Sequence, residues 1–201
     1  MILRILAWII LPLWTKPHAK YKIYGKENLK EVKKTGVIIT CNHVHPTDAP
    51  IMATRLFGIR RKVRFVMLSE NMDIPVAGPI MEALGGIPLG DTINGAKHFN
   101  GYINILLRRK KPVLIFPEAA LWPYYRKIRP FSRGPFLFSV NNKVPILPVV
   151  LTFRTKKNGK QKMVVNILKP IYPGEKNSKE LMEEVQALYE NFTKDFYSKY
   201  R

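Results

Sequence analysis

The chain has 201 residues, enough for one domain with a full core, and 46% hydrophobic against 24% charged residues excludes a disordered chain. Lys and Arg number 34 against 14 Asp and Glu, a net charge of +20 that draws polyanions such as nucleic acid, anionic lipid or phosphorylated substrates without choosing among them. A single cysteine, Cys41, excludes an internal disulfide and fits a reducing compartment.

Residues 2–14 read ILRILAWIILPLW, apolar except for Arg4. A spanning helix needs about 20 apolar residues, so this run is too short to cross a bilayer, and no small-x-small site follows it to mark a cleaved leader. Trp8 and Trp14 suit the headgroup boundary, with Lys16, Lys20 and Lys22 close behind. The segment is expected to lie in one leaflet as a membrane-associating helix over residues 1–20. The alternative is a buried core helix. Residues 21–201 are expected to form a single domain.

From there strand-like and helix-like segments alternate. Residues 36–41 (GVIITC) form a short apolar, β-branched run, expected to be a buried strand. Residues 50–57 read as a helix and 63–68 as a second strand. Residues 70–84 read as helical with breaks at Pro75 and Pro79, and 86–89 as a short strand. Phe99, Ile103, Leu106 and Leu107 keep helical spacing within 92–109. Residues 113–116 (VLIF), 146–153 and 163–168 read as further strands. A last helix over 178–200 carries Leu181, Val185, Leu188, Phe192 and Phe196 on one face, and Asn177 with Glu180 matches a capping box. This alternation predicts an α/β fold with a mixed, largely parallel sheet flanked by helices. Ligands in such folds gather beyond the carboxyl ends of strands.

Two segments with chemical potential follow strands. The first is Asn42-His43-Val44-His45-Pro46-Thr47-Asp48. A turn at Pro46 brings the Asp48 carboxylate back onto the His43 ring, which fixes the tautomer and stabilises the imidazolium formed when His43 takes a proton. A substrate hydroxyl would stand where a triad has its serine. The plain alternatives are that Asp48 caps the following helix and His43 is a hydrogen-bonded loop residue. Metal is disfavoured, because His18 and His98 are the only other histidines. The second segment is Phe116-Pro117-Glu118, followed by Trp122, Tyr124, Tyr125, Arg126, Lys127 and Arg129. Arginine binds phosphate bidentately and lysine adds a point charge, so Arg126, Lys127 and Arg129 are the candidate phosphate clamp. The plain alternative is a solvated basic loop.

Asn-His-x4-Asp after a strand, Phe-Pro-Glu after a strand about 70 residues later, and Val-Pro-Ile-Leu-Pro-Val at residues 144–149 together resemble the lysophospholipid (1-acylglycerol-3-phosphate) acyltransferase family. The resemblance spans residues 36–153. It implies His43 as general base, Asp48 as its orienting partner, Glu118 as an organiser of the acceptor site, and residues 145–149 as a strand beside an acyl tunnel. It further implies acyl transfer from acyl-CoA or acyl carrier protein to a lysophospholipid hydroxyl, with no cofactor beyond that co-substrate. The expected partners are an anionic membrane lipid surface, the thioester donor and the lysophospholipid, and the expected location is the cytoplasmic face of the cell membrane. Two blocks depart from the family pattern. Its third block continues Gly-Thr-Arg after Phe-Pro-Glu, where this chain has Ala119-Ala120-Leu121. Its second has an arginine shortly after Gly-x-Ile-Pro, where Gly86-Ile87-Pro88-Leu89 is followed here by Gly90-Asp91. No zinc spacing, RNP-like motif or helix-turn-helix signature supports a nucleic-acid partner. A membrane-surface binding protein without catalysis is the other alternative, and thioester turnover discriminates.

Overall fold

The structure is a computed structural model and describes residues 21–56, 62–155 and 158–200. The membrane-associating segment expected at residues 1–20 lies outside them. Chain order is β1 (Lys22–Tyr24), β2 (Val37–Cys41), α1 (Asp48–Arg55), β3 (Arg64–Met67), α2 (Ala77–Leu84), β4 (Gly86–Pro88), α3 (Ile93–Arg108), β5 (Pro112–Ile115), α4 (Gly134–Asn142), β6 (Ile146–Thr155), β7 (Gln161–Ile167) and α5 (Ser178–Lys199). Short 3-10 turns occupy Lys26–Lys30 and Ser69–Met72.

The strands form one sheet in the order β1-β7-β6-β2-β5-β3-β4. Every pairing is parallel except β6 with β7, the hairpin partners. The sheet is therefore mixed and largely parallel, as the alternation predicts. β2 lies between β5 and β6 and every residue in it is buried, which is why it reads as a continuous apolar run instead of an alternating one. Its side chains part to two faces. Val37, Ile39 and Cys41 join a core closed by Ala49, Ile51, Met52 and Ala53 of α1 and Leu84 of α2. Ile38 joins the other, closed by Ile103 and Leu107 of α3, Phe136 of α4, and Leu181, Val185 and Tyr189 of α5.

Helix ends follow local chemistry. Thr92 Oγ1 accepts from Gly95 N at the start of α3, and the capping box of Asn177 and Glu180 opens α5. Gly85 (φ 107°) ends α2 in the left-handed region that spares glycine a Cβ clash. Pro79 does not break its helix as expected. It is the third residue of α2, inside a first turn whose N–H groups have no intrahelical acceptor, so a proline there costs nothing. α1 begins two residues before its expected start, which makes Asp48 its first helical residue and Thr47 its cap position.

Because β2 and β5 are parallel neighbours, the segments that follow them emerge side by side at one end of the sheet. Residues 42–48 leave β2 there and residues 116–133 leave β5.

Candidate active site

Asn42 sets the base of the site. Its buried amide accepts from Leu151 N (2.7 Å) and donates to Leu151 O (3.0 Å), imitating a strand residue and tying the loop to β6. The chain then folds back on itself. Asp48 N donates to His45 O at 3.0 Å, and Asp48 Oδ2 accepts from Val44 N and His45 N, both at 2.8 Å. The same oxygen lies 3.2 Å from His43 Nδ1. Asp48 is fully buried, while the His43 side chain keeps 20% exposure. Asp48 Oδ1 is buried with no hydrogen-bond partner, so all of the carboxylate's bonding runs through Oδ2. The carboxylate also sits at a helix N-terminus, where negative charge is favoured. It is not a helix cap, because it turns away from the helix to hold the loop and the imidazole.

A carboxylate accepts and does not donate, so the Nδ1 contact places the ring proton on Nδ1 and the free lone pair on Nε2. The ring is held flat against Phe116, centroids 4.1 Å apart at 19°. His43 therefore has a fixed tautomer, a fixed plane and a partly exposed basic edge, the requirements of a general base. The second histidine of the segment is engaged locally, with His45 Nδ1 2.7 Å from Thr47 Oγ1 and its ring edge-on to Tyr124.

Residues 117–132 form a loop closed at its base by Ser132 N donating to Pro117 O at 2.8 Å. Trp122 N donates to His43 O (3.0 Å) and Tyr124 N to Val44 O (2.8 Å), so the loop lies along the histidine segment. Glu118 is buried beneath it and receives three N–H groups: His43 N (3.2 Å), Arg129 N (2.9 Å) and Arg129 Nη2 (2.9 Å). Arg129 also donates to Ala120 O and lies over the Trp122 ring, 4.7 Å from its centroid. The pair is 11% and 1% exposed.

The structure thus divides the expected clamp. Glu118 and Arg129 pair with one another and Glu118 braces the backbone of His43, while Arg129 Nε is buried with no hydrogen-bond partner among the described residues. Arg126 and Lys127 stand apart and exposed, with Arg126 Nη2 reaching Thr155 Oγ1 (3.3 Å) and Gln161 Oε1 (3.4 Å). Ala119 has φ 63°, the left-handed conformation that favours glycine.

Behind the site, Tyr189 of α5 crosses to the sheet. Its hydroxyl lies 3.0 Å from Thr40 Oγ1, donates to Thr40 O (2.8 Å) and accepts from Val149 N (3.1 Å). Burial pushes its phenol well above the ordinary range. Burial likewise raises the Cys41 thiol, aided by the charges of Asp48 and Glu118, so Cys41 is a core residue and no nucleophile. The sequence places Asn42 in the histidine motif without giving it a role, and gives no functional signal for Tyr189, which lies in no chemical motif.

The family model described as "Acyltransferase" matches residues 20–152, which contain His43, Asp48, Glu118 and β2 through β5. The chain belongs to the acyltransferase family. No curated protein matches its sequence. Among solved structures, the crystal structure of the 1-acyl-sn-glycerophosphate (LPA) acyltransferase PlsC from Thermotoga maritima superposes with a TM-score of 0.71 at 20% identity, covering 97% of this chain and 78% of that one. At that identity the likeness is one of fold.

Proposed function

We propose that this acyltransferase moves a fatty acyl group from a thioester donor, acyl-CoA or acyl carrier protein, to the hydroxyl of a lysophospholipid such as 1-acylglycerol-3-phosphate. The observation that carries the reading is the contact of His43 Nδ1 with a buried Asp48 whose orientation two backbone N–H groups fix. The hydroxyl proton passes to His43 Nε2 as the oxygen attacks the thioester carbonyl. The carbonyl becomes tetrahedral and anionic, the carbon–sulfur bond then breaks, and the imidazolium returns its proton to the departing thiolate. Asp48 stabilises that imidazolium. No acyl-enzyme is formed, and the buried Cys41 takes no part. The family and the likeness to PlsC support this assignment. Residues 2–14 would bring the domain to a lipid surface, where the acceptor resides. Among the described residues no helix is long and apolar enough to cross a membrane.

The test is release of free thiol from acyl-CoA in the presence of assorted lysophospholipids. His43→Ala lowers turnover by about 10²–10⁴, the usual worth of a general base, and leaves the melting temperature at the wild-type value. A folded variant with near wild-type thiol release would end this mechanism.

A further inference from the structure

Between residues 126–128 and the carboxyl-terminal half of α5 lies a cleft of about 540 Å³, within the range of small-molecule sites. Its charge is one-sided. Arg126 and Lys127 face it from the loop and Lys194 from α5. Among the described residues none of these three is within ion-pair distance of a carboxylate. Among the described residues the one acid on its wall is Glu190, whose Oε1 is turned to Gln186 Nε2 at 2.9 Å. Arg126 donates to two neutral oxygens, both at 3.3 Å or beyond, and its guanidinium lies 5.3 Å from the centroid of the Tyr197 ring; an anion would displace the two hydrogen bonds without leaving a buried group unpaired. Two aromatic rings complete the wall, and both are held in place. The Tyr197 hydroxyl accepts from Phe153 N at 3.1 Å, and the Tyr200 ring carries the Arg154 guanidinium 3.8 Å from its centroid.

The cleft is linked to the chemistry through a single loop. Tyr124 N is bonded to Val44 O, beside His43, and Arg126 is two residues on, a span of at most about 7 Å. A ligand that presents its reacting group at His43 and its phosphates here needs a flexible arm between the two. A nucleotide thioester has that form: several phosphates for three unpaired cations, and a flat purine for the fixed rings. A carrier-protein donor offers a single phosphodiester and no base.

Resting on the acyl-transfer reading, we propose that this cleft is the seat for the nucleotide end of a coenzyme A donor, with Arg126, Lys127 and Lys194 holding its phosphates and Tyr197 and Tyr200 flanking its base. The chain thereby selects acyl-CoA over acyl carrier protein.

The experiment compares two donors on the full chain: acyl-CoA, and acyl-pantetheine, which lacks the nucleotide. Lys194→Gln and Arg126→Gln each raise the KM for acyl-CoA relative to that for acyl-pantetheine by about tenfold, the loss of one charge-assisted contact. In parallel, adenosine 3′,5′-bisphosphate is titrated calorimetrically into the wild type and both variants, each checked for wild-type melting. It binds the wild type and about tenfold more weakly to each variant. The proposal is overturned if both donors shift equally, if the KM for lysophospholipid moves instead, if acyl carrier protein is the donor the variants weaken, or if the bisphosphate binds all three proteins alike. A chain that turns over neither thioester with any lysophospholipid refutes the acyl-transfer reading, while the bisphosphate titration still decides whether the cleft holds a nucleotide.

Discussion

Arg129 and Arg126 are three residues apart in one basic stretch, yet their surroundings assign them opposite work. Arg129 is nearly buried, gives two N–H groups to Glu118 and lies on Trp122, whereas Arg126 is exposed and meets two neutral oxygens and the Tyr197 ring. Glu118 in turn holds the amide of His43. In the proposed mechanism the pair therefore acts on catalysis through the position of the histidine. Removing one partner of a buried pair costs about 3–5 kcal/mol. Two backbone N–H groups would still reach Glu118, so Arg129→Gln is expected to destabilise by about 3 kcal/mol, the low end of that range. Urea denaturation measures it, and turnover falls together with stability. Wild-type stability with a raised KM for a phosphorylated acceptor would make Arg129 a substrate clamp instead. Beside Glu118 the backbone turns through the left-handed region at an alanine, Ala119, φ 63°, at a strain of about 1–2 kcal/mol.

At the scale of elements, α5 locks the site from behind. Its buried stripe is Leu181, Val185, Tyr189, Thr193 and Phe196, and the hydroxyl of Tyr189 supplies the bond that Val149 N makes within β6. Tyr189→Phe removes the oxygen that Val149 N donates to and should cost about 1–3 kcal/mol, read from denaturation midpoints; an unchanged midpoint would mean that β6 repairs the loss on its own. The expected stripe includes Leu188 and Phe192; both are half-buried, and Phe192 packs against the core as expected. Apolar periodicity overlooks tyrosine, whose polar end finds partners only when the sheet is present. The same reason separates the legible elements from the hidden ones. Strands β2 to β7 were readable because each is a compact apolar or alternating run. β1 is three residues whose strand character comes from pairing with β7, far along the chain. α4 opens with Gly134-Pro135 and lacks a clear period, although proline at a helix start is a favourable signal. Within the site, His43 and Asp48 were readable because five residues of chain contain the whole interaction. The Glu118–Arg129 brace was not, since a carboxylate and a guanidinium eleven residues apart in a loop carry no periodic mark. Nor was Lys194, which meets Arg126 only across the packed helix.

The whole molecule has a chemical end and an excess of charge, and both bear on how it meets lipid. Histidine segment and Glu118 loop leave adjacent parallel strands at one end of the sheet, which is where the proposed function brings the acceptor. In the proposed function a net charge of +20 would draw the chain to anionic headgroups, an attraction screened beyond about 10 Å at 0.1 M salt. Lasting attachment requires apolar burial, which salt does not weaken. Residues 2–14 hold eight Leu and Ile side chains, each worth about 1.5–3 kcal/mol when fully buried. Even partial insertion of that run would exceed what a few lysines contribute, at about 1 kcal/mol each near the surface. Deleting residues 1–14 is therefore expected to release the protein from liposomes containing anionic lipid in a flotation assay at high salt, where the charge term is suppressed. The truncated chain should keep its melting temperature and its thiol release from acyl-CoA with a detergent-dispersed lysophospholipid, because His43 and Asp48 are held by residues 42–48, 116–129 and 151. If the truncated chain floats as well as the full one, the anchor lies elsewhere on the domain. If it unfolds, the segment is a core helix, and the reach to the bilayer must come from the charged surface alone.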